Sequence, residues 1–540
     1  MRQTRLKTKH FAWVAGLMAL TAGMATHAQS GPVVHTADGD LAGIATGSVN
    51  QFRGIPYAQA PVGSLRWVAP QAAKHWSGQR DASTHGAACP QSPFPFADNL
   101  LNSEDCLFLN VYVPQGATST PRPVIVWVPG SGTVLGSARQ YDAQPLTQAT
   151  QAVVVTINYR LGALGYLWTS GMAAEAKGHN FALQDQQAAL RWVQRNISSF
   201  NGDAKNVTLV GESIGSNSVS LHLVSPTAAG LFHRAVMASG IEAPGLMTSD
   251  KAAVRGDVFA AKLGCPAGPD QLACLRAKPV EDMLKISKGY ADIARSGLPW
   301  QHFIDGEMVK GDVFPALSKG EFNRVPIMVG STKDEGRGFV PLSFELDGTA
   351  MTEAEYVEAM KQSFGPQLQP LLTGLLYPSI KYASPALAAS QVWSDIFACQ
   401  ANETAKRASA YVPIFTYEFA DVTAPEYVHG PFTVAGAYHG SDLLYWFQTP
   451  VGGAPIALNA SQKRLSDQMQ RYWGQFAMTG NPNGTSQSND PSWPQFNKLT
   501  TPYLTLVPDA IRTQQWGAFQ RAHQCGTWSL LFSLRGSGAV

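Results

Sequence analysis

Short, continuously apolar runs rich in β-branched residues recur along the chain, at 124–128, 153–158, 207–210, 325–329 and 412–415. They do not alternate with polar residues, so each reads as a strand buried on both faces. Helical patterns lie between them. Ala189, Trp192, Val193 and Ile197 fall on one helical face just before the run at 207, and Leu465, Met469, Trp473 and Phe476 do the same near the C-terminus. Buried strands alternating with helices predict an α/β fold: one large, mostly parallel central sheet with helices on both faces. Residues 240–322 are poorer in strand-like runs and richer in Lys, Gly and Pro. This segment is expected to be a long insertion that helps to wall a cleft.

The N-terminus departs from this pattern. Arg2, Arg5, Lys7 and Lys9 precede an apolar stretch at 11–25 that ends in Ala25-Thr26-His27-Ala28. The stretch is shorter than the roughly 20 residues needed to span a bilayer, and its small-residue end suits cleavage. Residues 1–28 are therefore expected to be a signal peptide, with 29–540 a single domain that is secreted or periplasmic and has no membrane segment after cleavage. Removing the four basic residues leaves 36 basic residues against 38 acidic ones. That near-neutral balance excludes binding to nucleic acid or an anionic membrane surface through excess charge. The six cysteines (Cys89, Cys106, Cys265, Cys274, Cys399 and Cys525) include no C-x-x-C pair that would point to zinc. In an oxidising compartment they are expected to form three disulfides, although six cysteines allow 15 pairings and the spacing does not choose among them.

Candidate chemistry enters at the run ending in Val210. It is followed by Gly211-Glu212-Ser213-Ile214-Gly215 and then by a helical stretch at 218–224. G-x-S-x-G between strand and helix is the nucleophile-elbow pattern. The sharp turn leaves no room for side chains two residues either side of the serine. It also sets the hydroxyl at a helix N-terminus, where free N–H groups favour developing negative charge.

Ordered blocks beyond this motif make the chain resemble the type-B carboxylesterases, the cholinesterase-like family. They include Phe52-Arg53-Gly54-Ile55-Pro56-Tyr57-Ala58, Leu65-Arg66-Trp67, Glu104-Asp105-Cys106-Leu107, Asn158-Tyr159-Arg160-Leu161-Gly162, Asp185-Gln186, Phe200-Asn201-Gly202-Asp203 and Thr479-Gly480-Asn481-Pro482-Asn483. The resemblance implies an α/β-hydrolase fold with long insertions and a catalytic domain over 29–540. It also implies a Ser-His-Glu triad of Ser213, Glu335 in Asp334-Glu335-Gly336, and His439 in His439-Gly440-Ser441-Asp442. That chain order is the one expected of α/β-hydrolases. Asp334 is the rival acid. Ser239 matches a serine that supports the histidine in the family.

By the same resemblance the oxyanion donors are the N–H groups of Ser131, Gly132 and Ile214. Here the chain departs from its relatives: Pro129-Gly130-Ser131-Gly132 replaces an aromatic or imidazole residue followed by three glycines, so the acyl pocket is expected to be atypical. The resemblance pairs the cysteines as Cys89–Cys106, Cys265–Cys274 and Cys399–Cys525. The implied activity is hydrolysis of small-molecule carboxylic esters through an acyl-enzyme, with no metal or organic cofactor. In length, export and loop the chain is similar to bacterial fumonisin esterases, which remove tricarballylic side chains from an amino-polyol toxin. Alternatives are general hydrolysis of aryl and alkyl esters, or a non-enzymatic binding role, which the presence of all three triad members disfavours.

Overall fold

The structure is a computed structural model. It describes residues 31–536 apart from 95–100, 174–178, 243–244, 299, 427–429, 449–456 and 485–489. Residues 1–28, expected from the sequence to be a signal peptide, lie outside the described residues.

Eleven strands form the main sheet among the described residues. They are β1 (Ile44–Thr46), β2 (Val49–Pro56), β3 (Phe108–Pro114), β4 (Arg122–Val128), β5 (Val153–Ile157), β6 (Gly202–Glu212), β7 (Arg234–Ala238), β8 (Ile327–Thr332), β9 (Ile414–Phe419), β10 (Tyr503–Leu506) and β11 (Arg512–Gln514). Their spatial order is β11-β10-β9-β8-β7-β6-β4-β5-β3-β2-β1. The central seven, β10 to β5 in that order, pair in parallel. The strands at both edges pair antiparallel. All five apolar runs of the sequence fall within the parallel centre, where both faces are covered and every position of β4, β5, β8 and β9 is buried.

Helices α1 (Phe181–Asn196), α2 (Ile214–Val224), α3 (Pro385–Ala408), α4 (Ala460–Thr479) and α5 (Cys525–Gly536) include the two helical stripes expected from the sequence. Two buried aromatic and aliphatic clusters lie on the sheet. One holds Trp192, Phe200 and Leu209; the other holds Trp127, Trp446 and Trp473. Four of the ordered blocks quoted above brace one another in pairs. Arg66 grips Glu104 with two bonds of 2.6 Å, and Arg160 grips the buried Asp185 at 2.7 and 2.8 Å. Planar guanidinium–carboxylate pairs of this kind fix geometry as well as charge.

The three disulfides are Cys89–Cys106, Cys265–Cys274 and Cys399–Cys525, with no free cysteine. Among its described residues the segment 240–322 contributes two-residue strands, Met247–Thr248 and Phe303–Ile304, to a separate small sheet and none to the main sheet. No helix among the described residues is long and apolar enough to cross a membrane.

Candidate active site

Ser213 is the only residue between β6 and α2. Its φ of 55° and ψ of −126° turn the chain back sharply, a conformation that costs a non-glycine residue about 1–3 kcal/mol and is kept only where its surroundings impose it. The flanking glycines explain how the turn closes. A Cβ on Gly211 would sit 2.3 Å from the backbone of Gly215, and one on Gly215 would sit 2.2 Å from the Val128 carbonyl. Ser213 is half-buried, and with His439 it lines a cavity of about 280 Å³.

His439 lies 8% exposed on the loop after β9. Its Nδ1 lies 2.5 Å from Oε2 of the fully buried Glu335. The other Glu335 oxygen accepts from the Thr332 N–H at 2.7 Å. The neighbouring acid plays a different part. Asp334 accepts from the Ala437 N–H at 3.0 Å and pairs with Arg337 at 3.1 Å, which pins the loop that carries His439. Phe339 and Phe397 pack on the imidazole, with ring centres 5.7 and 5.2 Å away.

Two further carboxyl groups crowd the same histidine. Oε1 of Glu212, the residue before Ser213, lies 3.2 Å from His439 Nε2. Asp442 is fully buried, with neither carboxyl oxygen hydrogen-bonded. Burial raises the Asp442 pKa well above the ordinary carboxyl range, and the charges of Glu212 and Glu335 add to this; an unbonded buried acid is held in its neutral form. Burial also raises Glu212 to about 7, against the lowering effect of His439. Burial disfavours the imidazolium, yet the charges of Glu212 and Glu335 outweigh it and raise His439 to about 9.

The sign of the Glu212 effect is testable. The neutral imidazole is the form that can accept a proton, so the acid limb of kcat/KM follows loss of the imidazolium proton. Glu212→Gln removes a negative charge that stabilises the imidazolium. The acid limb is expected to move to lower pH, and pH profiles of the two proteins measure it. An unmoved limb would separate Glu212 from the titration of His439.

The loop after β4 has three consecutive residues with positive φ: Ser131 (80°), Gly132 (68°) and Thr133 (69°). For a β-branched residue such as Thr133 this conformation is a marked outlier. Two contacts hold the loop in place: the Tyr159 hydroxyl donates to the Pro129 carbonyl at 2.7 Å, and the Thr133 hydroxyl reaches the Trp300 carbonyl of the insertion at 3.1 Å. Gly132 and Ile214 line the cavity with Ser213, whereas Ser131 is half-buried beside it and does not line it.

Ser131→Gly is therefore expected to leave stability nearly unchanged. Relief of about 1–2 kcal/mol of positive-φ strain offsets the roughly 0.5–1 kcal/mol that glycine costs in chain entropy. Its kcat/KM should change little across ester series that share either the acyl or the alcohol part, because the backbone N–H remains in place. A uniform loss of about 10²–10³ would instead identify the hydroxyl as an oxyanion donor.

Ser239 is fully buried, and its Oγ makes no hydrogen bond. No hydrogen bond joins it to His439, which the family likeness expects it to support. Glu212 and Asp442 were not singled out by sequence reasoning as site residues, although Glu212 sits inside the G-x-S-x-G motif and Asp442 inside the His439 turn.

The insertion supplies Ile241, Tyr290, Ile293 and Leu298 to the cavity wall, which is the walling role expected of it. Trp393 and Phe397 of α3 and Trp528 and Phe532 of α5 complete much of the rest. Among the described lining residues there is no Lys or Arg.

Comparison with known proteins agrees with this arrangement. A profile of the carboxylesterase family matches residues 30–528. The cocaine esterase of Homo sapiens is 32% identical, over 98% of this chain and 96% of its own length. The cocaine esterase of Oryctolagus cuniculus is 34% identical, over 88% and 90% respectively. Among solved structures, a PNB esterase superposes with a TM-score of 0.76 at 31% identity, covering 91% of this chain and 99% of its own. With a serine elbow at the head of a parallel sheet and family likeness from end to end, this chain belongs to the carboxylesterase family and is a carboxylic-ester hydrolase of the α/β-hydrolase fold.

Proposed function

We propose that Ser213, His439 and Glu335 act as a Ser-His-Glu triad on neutral, largely apolar esters. The observation that carries this reading is the bond of 2.5 Å between His439 and the buried Glu335, on a histidine that shares one cavity with the elbow serine. His439 takes the proton of Ser213 as its oxygen attacks the ester carbonyl. Glu335 fixes the imidazole tautomer and stabilises the imidazolium. The oxyanion is received by the N–H groups of Gly132 and Ile214, with Ser131 as the third donor of the loop. His439 then returns the proton to the departing alcohol, and a water activated by the same histidine hydrolyses the acyl-enzyme. These steps need neither a metal nor an organic cofactor.

The wall of Trp393, Phe397, Trp528 and Phe532 favours apolar aryl or alkyl groups. A tricarballylic ester of the fumonisin type carries further carboxylates, which would meet no cation among the described lining residues, so the cavity supports that substrate less well. Three disulfides support export, with 1–28 removed and 29–540 working as one catalytic domain outside the cytoplasm.

A fluorophosphonate should modify the Ser213 peptide alone, as read by mass spectrometry, and a panel of esters differing in acyl charge and alcohol length should rank neutral acyl groups first. Modification elsewhere, or preference for a polyanionic acyl group, would overturn the corresponding part of the reading.

A further inference from the structure

The part of the cavity wall contributed by α5 is held by a series of buried polar contacts that ester hydrolysis does not use. It begins at His523, in the turn before α5. His523 is buried, and each of its ring nitrogens meets a carboxylate: Nδ1 lies 3.0 Å from Asp395 of α3, and Nε2 lies 2.8 Å from Glu418 of β9. The second oxygen of the fully buried Asp395 accepts from the Tyr377 hydroxyl at 2.7 Å. That hydroxyl oxygen in turn accepts from the Trp528 indole N–H at 2.8 Å. Trp528 lines the cavity beside Phe364 and Phe532. The series therefore runs unbroken from His523 to the surface that a substrate meets.

A neutral imidazole carries one N–H. It would set a bare lone pair against one of two carboxylates that are both withdrawn from water. With a proton on each nitrogen, both contacts become charge-assisted hydrogen bonds. The geometry thus selects the imidazolium. Burial opposes the charge, but the bonds to Asp395 and Glu418 outweigh it and raise His523 to about 9. The other titratable groups packed around this cluster do not compete. Burial raises Tyr377 and Tyr503 of β10 above the ordinary phenol range, so both are neutral. Glu403, further along α3, is bonded by Arg407 at 3.0 and 2.8 Å.

We propose that Trp528 sets how bulky an ester group the cavity accepts, and that His523, as an imidazolium, is the positioning residue that holds the indole through Asp395 and Tyr377. The inference rests on the reading of this cavity as the ester site. The hold is complete below the ordinary histidine pKa and is lost as pH rises through about 9. Loss of the proton leaves a lone pair facing a carboxylate, Asp395 loses its fixed place, and Tyr377 no longer pins the indole. Bulky groups then meet a wall that must be ordered on binding, which raises their KM.

The test follows the bulky-to-small ratio of kcat/KM from neutral to alkaline pH in two pairs of esters. One pair is nitrophenyl phenylbutanoate against nitrophenyl acetate, and the other is phenylbutyl acetate against ethyl acetate. The Ser213→Ala protein gives the uncatalysed rate at each pH. Titration of His439 acts on both members of a pair and cancels in the ratio. In at least one pair the ratio is expected to fall by roughly fivefold as pH rises through about 9, the scale of one hydrogen bond, through KM of the bulky member.

Glu418→Gln removes a charge that favours the imidazolium, so the fall should move to lower pH. His523→Gln and Tyr377→Phe should each give the low ratio at every pH, with the small esters unchanged. A ratio that is flat with pH in both pairs for the native protein overturns the proposal, and this measurement needs no variant to fold. A fall that persists in His523→Gln, or a native ratio retained by Tyr377→Phe, overturns it too. Failure of ester hydrolysis itself is read separately, from the small esters.

Discussion

Ser213→Ala and His439→Ala are each expected to lower kcat/KM by about 10⁴- to 10⁶-fold, the scale seen when a member of a catalytic triad is removed. The expectation follows from division of labour. Without the hydroxyl there is no acyl-enzyme, and without the imidazole the hydroxyl is a weak nucleophile. The residual rate comes from the N–H groups of the elbow and from binding, so the double variant should be little worse than either single one. Stability should be largely retained, because Ser213 is half-buried and its turn is imposed by close packing around Gly211 and Gly215. Steady-state kinetics on one neutral ester, with a melting curve for each protein, provides the check. More than a tenth of the activity surviving in both variants would remove the assignment.

The second large effect concerns stability. Cys399 and Cys525 are 126 residues apart, against 17 and 9 for the other two pairs. Loop-closure entropy makes the long bridge worth about 5 kcal/mol and each short one about 3. The double substitution Cys399→Ser/Cys525→Ser is therefore expected to lower the denaturation midpoint more than either corresponding pair. The same bridge joins α3 to the start of α5, and Trp393 and Trp528 from these helices face the cavity. KM for bulky apolar esters should consequently rise as well.

A polar cluster backs this tether. His523 bonds Asp395 of α3 at 3.0 Å and Glu418 of β9 at 2.8 Å, and Tyr377 bonds Asp395 at 2.7 Å. Chemical denaturation of the three double variants measures the ranking. An equal loss in all three would mean that packing and this cluster, rather than chain closure, hold the C-terminal helix.

The legibility of the sequence varied with how local each feature is. Five of the seven parallel strands were readable because a strand covered on both faces is apolar along most of its length; β7 and β10, of five and four residues, were not read. The ends of the five are less legible: β6 begins at Gly202, before its apolar run, with half-exposed polar residues, whereas β8 and β9 begin two residues inside theirs. The edge strands were not read. β2, for instance, mixes Asn50, Gln51 and Arg53 with its apolar residues, because it lies near the rim of the sheet. The elbow was readable because its glycines obey a steric rule spanning five residues.

Local sequence thus determined the fold class, the nucleophile turn and, through ordered motifs, the candidates for acid and base. What surrounds them was decided by tertiary structure. Glu212 and Asp442 sit beside recognised residues, but burial is the main cause that raises their pKa values, and burial is a property of the folded neighbourhood. Ser239 was expected to support the histidine, and its buried hydroxyl has no hydrogen-bond partner. Glu242 and His302 are 60 residues apart, with no motif joining them. Their contact exists because the insertion folds back over the elbow. A carboxylate is held by a histidine so distant along the chain only once the chain has folded, and nothing in the order of the residues specifies that contact.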